Sequence, residues 1–157
     1  MKIKLIALNG VFAALYVTIT AFIQPIAFSN LQFRIPEIFN HLVVYNKKYF
    51  FGIVIGVFIS NYFFSTLLPY DLFFGVAHSI ISLLITIIIS RFVHNKWVLM
   101  IINSFVFSVN MFIIAYELNL VLGFPFFETW ALTALGELGV MFLGMPVISF
   151  INNRISL

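Results

Sequence analysis

Charge is scarce in this chain, and that scarcity excludes more than any other feature. Eight Lys and Arg and five Asp and Glu make up 8% of 157 residues, where soluble domains carry about 25%. A soluble helix keeps one polar face, yet stretches such as "FFGIVIGVFISNYFFSTLL" and "HSIISLLITIIIS" are apolar all round. With a mean hydropathy of +1.15 the chain reads as an integral membrane protein. Cysteine is absent, which excludes disulfides and thiolate metal sites. No G-x-x-x-x-G-K-[ST] occurs, which excludes ATP hydrolysis through a P-loop. H-E-x-x-H and G-x-S-x-G are also missing, and His41, His78 and His94 do not cluster as metal ligands. No cofactor and no metal are expected. The Lys and Arg residues are scattered singly or in pairs, which is not a nucleic-acid footprint.

What is present is apolar length. A membrane helix needs about 20 apolar residues, and the segments 5–28, 49–68, 72–92, 97–118 and 130–151 each qualify. The first has a basic start, as a signal peptide does, but its apolar run exceeds the usual core of about 7–15 residues and no small-x-small cleavage site closes it. It is read as a retained span. Between the first two segments lies "FRIPEIFNHLVVY", with Arg34, Glu37, Asn40 and His41 in apolar company. From Ile35 it is too short for a full α-helical span.

Sidedness decides whether that stretch crosses. With Lys2 and Lys4 inside and residues 35–45 crossing, Lys47, Lys48, Arg91, Lys96 and Arg154 all fall on the cytoplasmic side, as the positive-inside rule requires. Without the crossing, Arg91 and Lys96 move outside. The expected fold is therefore an all-α bundle of six transmembrane helices with both termini cytoplasmic. In that topology Glu37, Asp71, Glu117, Glu128 and Glu137 all lie in the outer half or the outer loops. Acids at helix starts stabilise the macrodipole, which accounts for Glu37, Asp71 and Glu128. It does not account for Glu117 at a helix end or Glu137 within a span.

Polar residues recur on the same helices. Asn103, Asn110 and Glu117 are seven apart, as are Asp71 and His78, so each set forms a stripe. Groups of this kind at membrane depth usually face the bundle interior or a cavity, although asparagines also serve as interhelical glue. Small residues at four-residue spacing, Gly52, Gly56 and Ser60 on one span and Asn9 or Gly10 before Ala13 or Ala14 on another, allow close helix approach. These patterns describe a polar site open to the outside over an oily inner half. Such a site binds a small polar solute. A membrane enzyme using an acid pair and His is the competing class, but no nucleophile geometry is recognisable.

Four separated stretches, "LQFRIPE", "ISNYFFSTLLPYDLFFG", "VNMFIIAYELNLVLGFPF" and "ALGELGV", resemble the signature segments of the queuosine precursor transporter family, QueT. These are substrate-binding S components of energy-coupling factor (ECF) transporters. The family's first motif reads F-R-[IV]-S-E; here Pro36 stands for the Ser, and Pro suits a first helical turn. Asn40 and His41 fall where the family is more apolar, and His78 where it is usually small. The resemblance implies a single S-component domain over residues 1–157, non-catalytic, in the bacterial plasma membrane. It would work with a transmembrane coupling subunit and two cytoplasmic ATPases. The implied solute is a 7-deazaguanine base: the aminomethyl form, the cyano form or queuine. Another small polar vitamin-like solute is the alternative.

On that resemblance, Glu117 or Glu137 takes the guanine edge and the other, with Asp71, lies closer to the amine. Asn61 and Asn110 supply amide contacts, His78 adjoins them, and Tyr116 or Phe74 stacks on the base. Arg34 and Glu37, three residues apart, are expected to pair locally or to gate the outer mouth. Asn9, Gly10, Ala13 and Ala14 match the region that meets the coupling subunit.

Overall fold

The computed structural model describes residues 2–27 and 33–155, and among them all regular structure is helical. Helix α1 (Lys2–Ala27) comes first; the expected end of its span at Phe28, like Leu31 and Gln32 of the first motif, lies outside the described residues. A strap follows, made of a 3-10 helix, Ile35–His41, continued by the four-residue α2 (Leu42–Tyr45). A 3-10 turn, Lys47–Tyr49, leads into α3 (Phe50–Phe64), and then come α4 (Tyr70–Ile89), α5 (Lys96–Asn110), α6 (Phe112–Leu122) and α7 (Phe126–Ile155). With α5 and α6 taken as one broken rod, six helical segments stand side by side.

Four of them are long and apolar enough to cross a membrane: Ile3–Pro25, Tyr70–Ile89, Lys96–Leu122 and Phe126–Ile155. The strap and α3 are shorter. The 3-10 geometry compensates in part, because it rises about 2.0 Å per residue against 1.5 Å. The strap thus spans roughly 20 Å rather than the roughly 16 Å of an α-helix of equal length. Pro36 lies in its first turn, and the Glu37 amide bonds to the Arg34 carbonyl at 2.9 Å, an i→i−3 start.

Two expected spans are corrected. The segment 49–68 forms only the 15-residue α3 and stops at Phe64. Ser65 turns the chain there, its hydroxyl accepting from the Leu67 amide at 2.9 Å, and Pro69 cannot continue a helix. The segment 97–118 is broken at Met111, and its second half runs on to Leu122, where Gly123 at φ 72° closes it. Only a residue tolerant of the left-handed region ends a helix that way without strain.

The bundle is inside out relative to a soluble protein. Phe51, Phe63, Phe73, Phe127, Leu135 and Leu143 are exposed. Arg34, His41, His78 and four of the five carboxylates are buried; Glu128 is the exposed one. That distribution suits lipid outside and a polar interior.

Close backbone approach holds the strap and α3 in place. The Gly52 and Gly56 stripe meets α1: the Gly52 amide donates to Asn9 Oδ1 at 2.7 Å. A Cβ at Gly56 would lie 2.9 Å from Tyr16 Cβ. The neighbour that these small residues admit is therefore intramolecular. On the other side α7 presses on the strap, and a Cβ at Gly144 would stand 2.7 Å from Ile38 Cβ and 2.9 Å from Ile38 Cα. Gly144→Val is expected to force the strap off α7 and destabilise the protein by about 1–3 kcal/mol. The check is thermal unfolding of the detergent-purified variant; an unchanged Tm would mean the strap is not packed there.

Candidate functional site

The strap is where polar side chains converge. In a 3-10 helix, residues three apart eclipse one another, so Glu37 and Asn40 share one face, and Arg34 caps the helix just before them. Arg34 Nη2 lies 3.3 Å from Asp71 Oδ1 at the start of α4. The guanidinium therefore reaches across to Asp71, and the local Arg34–Glu37 pair expected from their spacing is corrected. The Glu37 carboxylate is engaged elsewhere: Tyr16 Oη donates to Oε1 at 2.7 Å, and Asn40 Nδ2 donates to Oε2. Asp71 also accepts from the Ser65 hydroxyl, and its backbone carbonyl accepts from Asn61 Nδ2 at 2.9 Å. The α4 backbone stays close to Asn61 because position 75 is glycine, where a Cβ would lie 2.5 Å from that nitrogen.

Two further carboxylates complete the cluster. Glu117 from α6 and Glu137 from α7 are buried. Glu137 Oε1, Asn40 Oδ1 and the Ser60 hydroxyl lack a hydrogen-bond partner, while the Glu117 carboxyl faces that of Asp71, with no other donor on its oxygens. Asp71 and Arg34 are the charged groups that act on Glu117, whereas Glu37 and Arg34 act on Glu137. The cluster thus has two poles joined by Arg34, Glu117 with Asp71 and Glu137 with Glu37. Four buried carboxylates thus lie within the electrostatic influence of one guanidinium, with Asp71 in direct contact. Uncompensated buried charge costs on the order of several kcal/mol per ion, so this arrangement is suited to a ligand rich in N–H donors and positive charge.

The other candidates lie less centrally. His78 is buried, with Nε2 3.1 Å from the Phe107 carbonyl and its ring edge-on to Phe107. Glu37 and Arg34 are the charges nearest in influence. Asn110 donates to the Ser82 hydroxyl at 2.9 Å and ties α5 to α4. Tyr116 is exposed, with its ring centroid 6.0 Å from that of Phe74, whereas Glu117, the next residue, is buried. Asn103 anchors a separate network deeper along the strap. It accepts from Thr86 Oγ1 at 2.6 Å and donates to the Asn40 carbonyl at 3.3 Å and to His41 Nδ1 at 3.1 Å. On α1, Asn9 and Ala13 turn toward α3, while Gly10 and Ala14 are exposed.

The QueT transporter family matches residues 6–153. This chain belongs to the QueT transporter family. A curated relative, the queuosine precursor transporter QueT of Lactococcus lactis subsp. cremoris (strain MG1363), is 33% identical, covering 94% of this chain and 92% of that protein. No solved structure matches. As a QueT family member with four helices fit to cross a bilayer, the chain is a multi-pass transport protein of the cell membrane.

Sequence reasoning did not assign Tyr16 or Ser65 to the cluster of this QueT family chain, and it left Asn40 open between tuning the ligand and packing. Tyr16 sits in an apolar span and carries no pattern. Asn40 had a signal, its three-residue interval from Glu37 and Arg34, but an α-helical period does not bring all three to one line.

Proposed function

We infer that the chain is the substrate-capturing S component of an ECF-type importer, taking up a queuosine precursor of the 7-deazaguanine class from the outer face. The observation that carries this reading is the set of buried acceptors that the protein leaves without a donor, Glu137 Oε1 above all, together with the facing carboxyls of Glu117 and Asp71. A guanine-type edge offers a ring N–H and an exocyclic amine, and both require acceptors when buried. Glu137 takes that edge. Glu117, beside Asp71, takes the opposite end, where the aminomethyl form carries a cation that a carboxylate binds through charge-assisted hydrogen bonds.

The positive-inside distribution of Lys47, Lys48, Arg91 and Lys96 supports cytoplasmic termini and a site nearer the exterior. The chain has no P-loop, so the energy for uptake comes from two partner ATPases through a transmembrane coupling subunit. Exposed Gly10 and Ala14 on α1 support a close-packed contact with that subunit, backed by Asn9 and Ala13. The test is equilibrium binding of the purified protein to a panel of deazaguanine bases and unrelated vitamins. Binding of at least one deazaguanine is expected. Binding of another vitamin with no deazaguanine would replace the substrate assignment.

A further inference from the structure

We propose that Asn40 is a ligand-contacting, specificity-determining residue whose carboxamide oxygen accepts from the exocyclic amine of the bound base. The inference rests on the deazaguanine reading and adds a residue to it.

Asn40 is fully buried, and its two amide ends are in different situations. Nδ2 donates to Glu37 Oε2, which determines the orientation of the amide, since a carboxylate oxygen can only accept. Oδ1 then points away from Glu37 and has no partner. That bond and the eclipsed 3-10 face place it beside Glu37, the carboxylate that acts on Glu137. At this pole the free acceptors are therefore Glu137 Oε1 and Asn40 Oδ1. An exocyclic amine has two hydrogens. One goes to Glu137 along with the ring N–H, and the second goes to Asn40.

The backbone behind Asn40 is held independently of the ligand. Its carbonyl accepts from Asn103 Nδ2, and His41 beside it bonds the Met141 carbonyl through Nε2 at 2.9 Å. A carbonyl only accepts, so the hydrogen is on Nε2 and Nδ1 accepts from Asn103. Asn103 is thus a positioning residue. It ties α4, α5 and the strap together, and through His41 it reaches α7.

The test compares three probes by calorimetry on the detergent-purified protein: 7-aminomethyl-7-deazaguanine, its analogue lacking the exocyclic amine, and its analogue N-methylated on that amine. The unaltered protein is expected to bind the parent about tenfold more tightly than either analogue, since one hydrogen bond is worth up to roughly this factor. Asn40→Leu lowers the preference over the deaminated base by about tenfold, and Asn40→Ala, by opening space, narrows the penalty on the methylated base. Asn103→Leu, which loosens the backbone behind Asn40 but leaves its side chain in place, lowers the same preference by less than Asn40→Leu does, which separates contact from positioning. If the unaltered protein tolerates the methylated amine, or both Asn40 variants keep its ratios, the Asn40 assignment is overturned while the substrate class stands. Failure of the unaltered protein to bind the parent or any other deazaguanine overturns the substrate reading itself.

Discussion

Glu137→Gln is expected to reduce ligand affinity at least about thirtyfold and to abolish uptake at low ligand concentration, because losing one side of a buried charged contact costs about 2–5 kcal/mol. The substitution preserves shape but exchanges an acceptor for a donor. Glu137 Oε1 has no partner within the protein, so the change breaks no internal hydrogen bond at that atom. Folding should survive, which makes the variant a direct reading of the site. Glu117→Gln acts at the other pole, beside Asp71. It should penalise an aminomethyl base more than the cyano form, whose substituent carries no cation. Calorimetric titration of both variants with both bases checks the pair. Uptake unaffected by Glu137→Gln would remove transport through this cluster from consideration.

Arg34→Met has the second large effect, on stability. The guanidinium is buried against Asp71, and Glu37, Glu117 and Glu137 all lie within its electrostatic influence. Removing one partner of a buried ion pair leaves the other uncompensated, at a cost of about 3–5 kcal/mol. A large fall in Tm of the purified protein is expected. The double variant Arg34→Met, Asp71→Leu should recover part of it, because the charge that had lost its partner is gone as well. If the double variant is less stable than the single by as much again, the two side chains do not act as a pair.

Much of the architecture was legible because lipid imposes a simple rule on sequence. Each backbone polar group in a bilayer core must be satisfied internally, so long apolar runs can only be helices, and 72–92 and 130–151 did become α4 and α7. The segment 49–68 was read too long, since Ser65 and Pro69 end α3 by local bonds that hydropathy does not register. Burial of Asp71, Glu117 and Glu137 was likewise foreseeable from the cost of turning a carboxylate toward lipid. The partner of Arg34 was not. Spacing along one strand of sequence favoured Glu37, whereas the packed bundle brings Asp71 across from α4.

By itself, the sequence determined that this is a helical membrane protein with its acids gathered inward, because apolar length and scarce charge leave no other way to satisfy the backbone. Only the tertiary structure decided how "FRIPEIFNH" is wound and whom its side chains meet. A 3-10 turn and an α turn differ by one hydrogen-bond register, and packing against α1 and α7 rather than local propensity selects between them. That choice aligns Glu37 and Asn40, and with them the pole of the site that Glu137 completes.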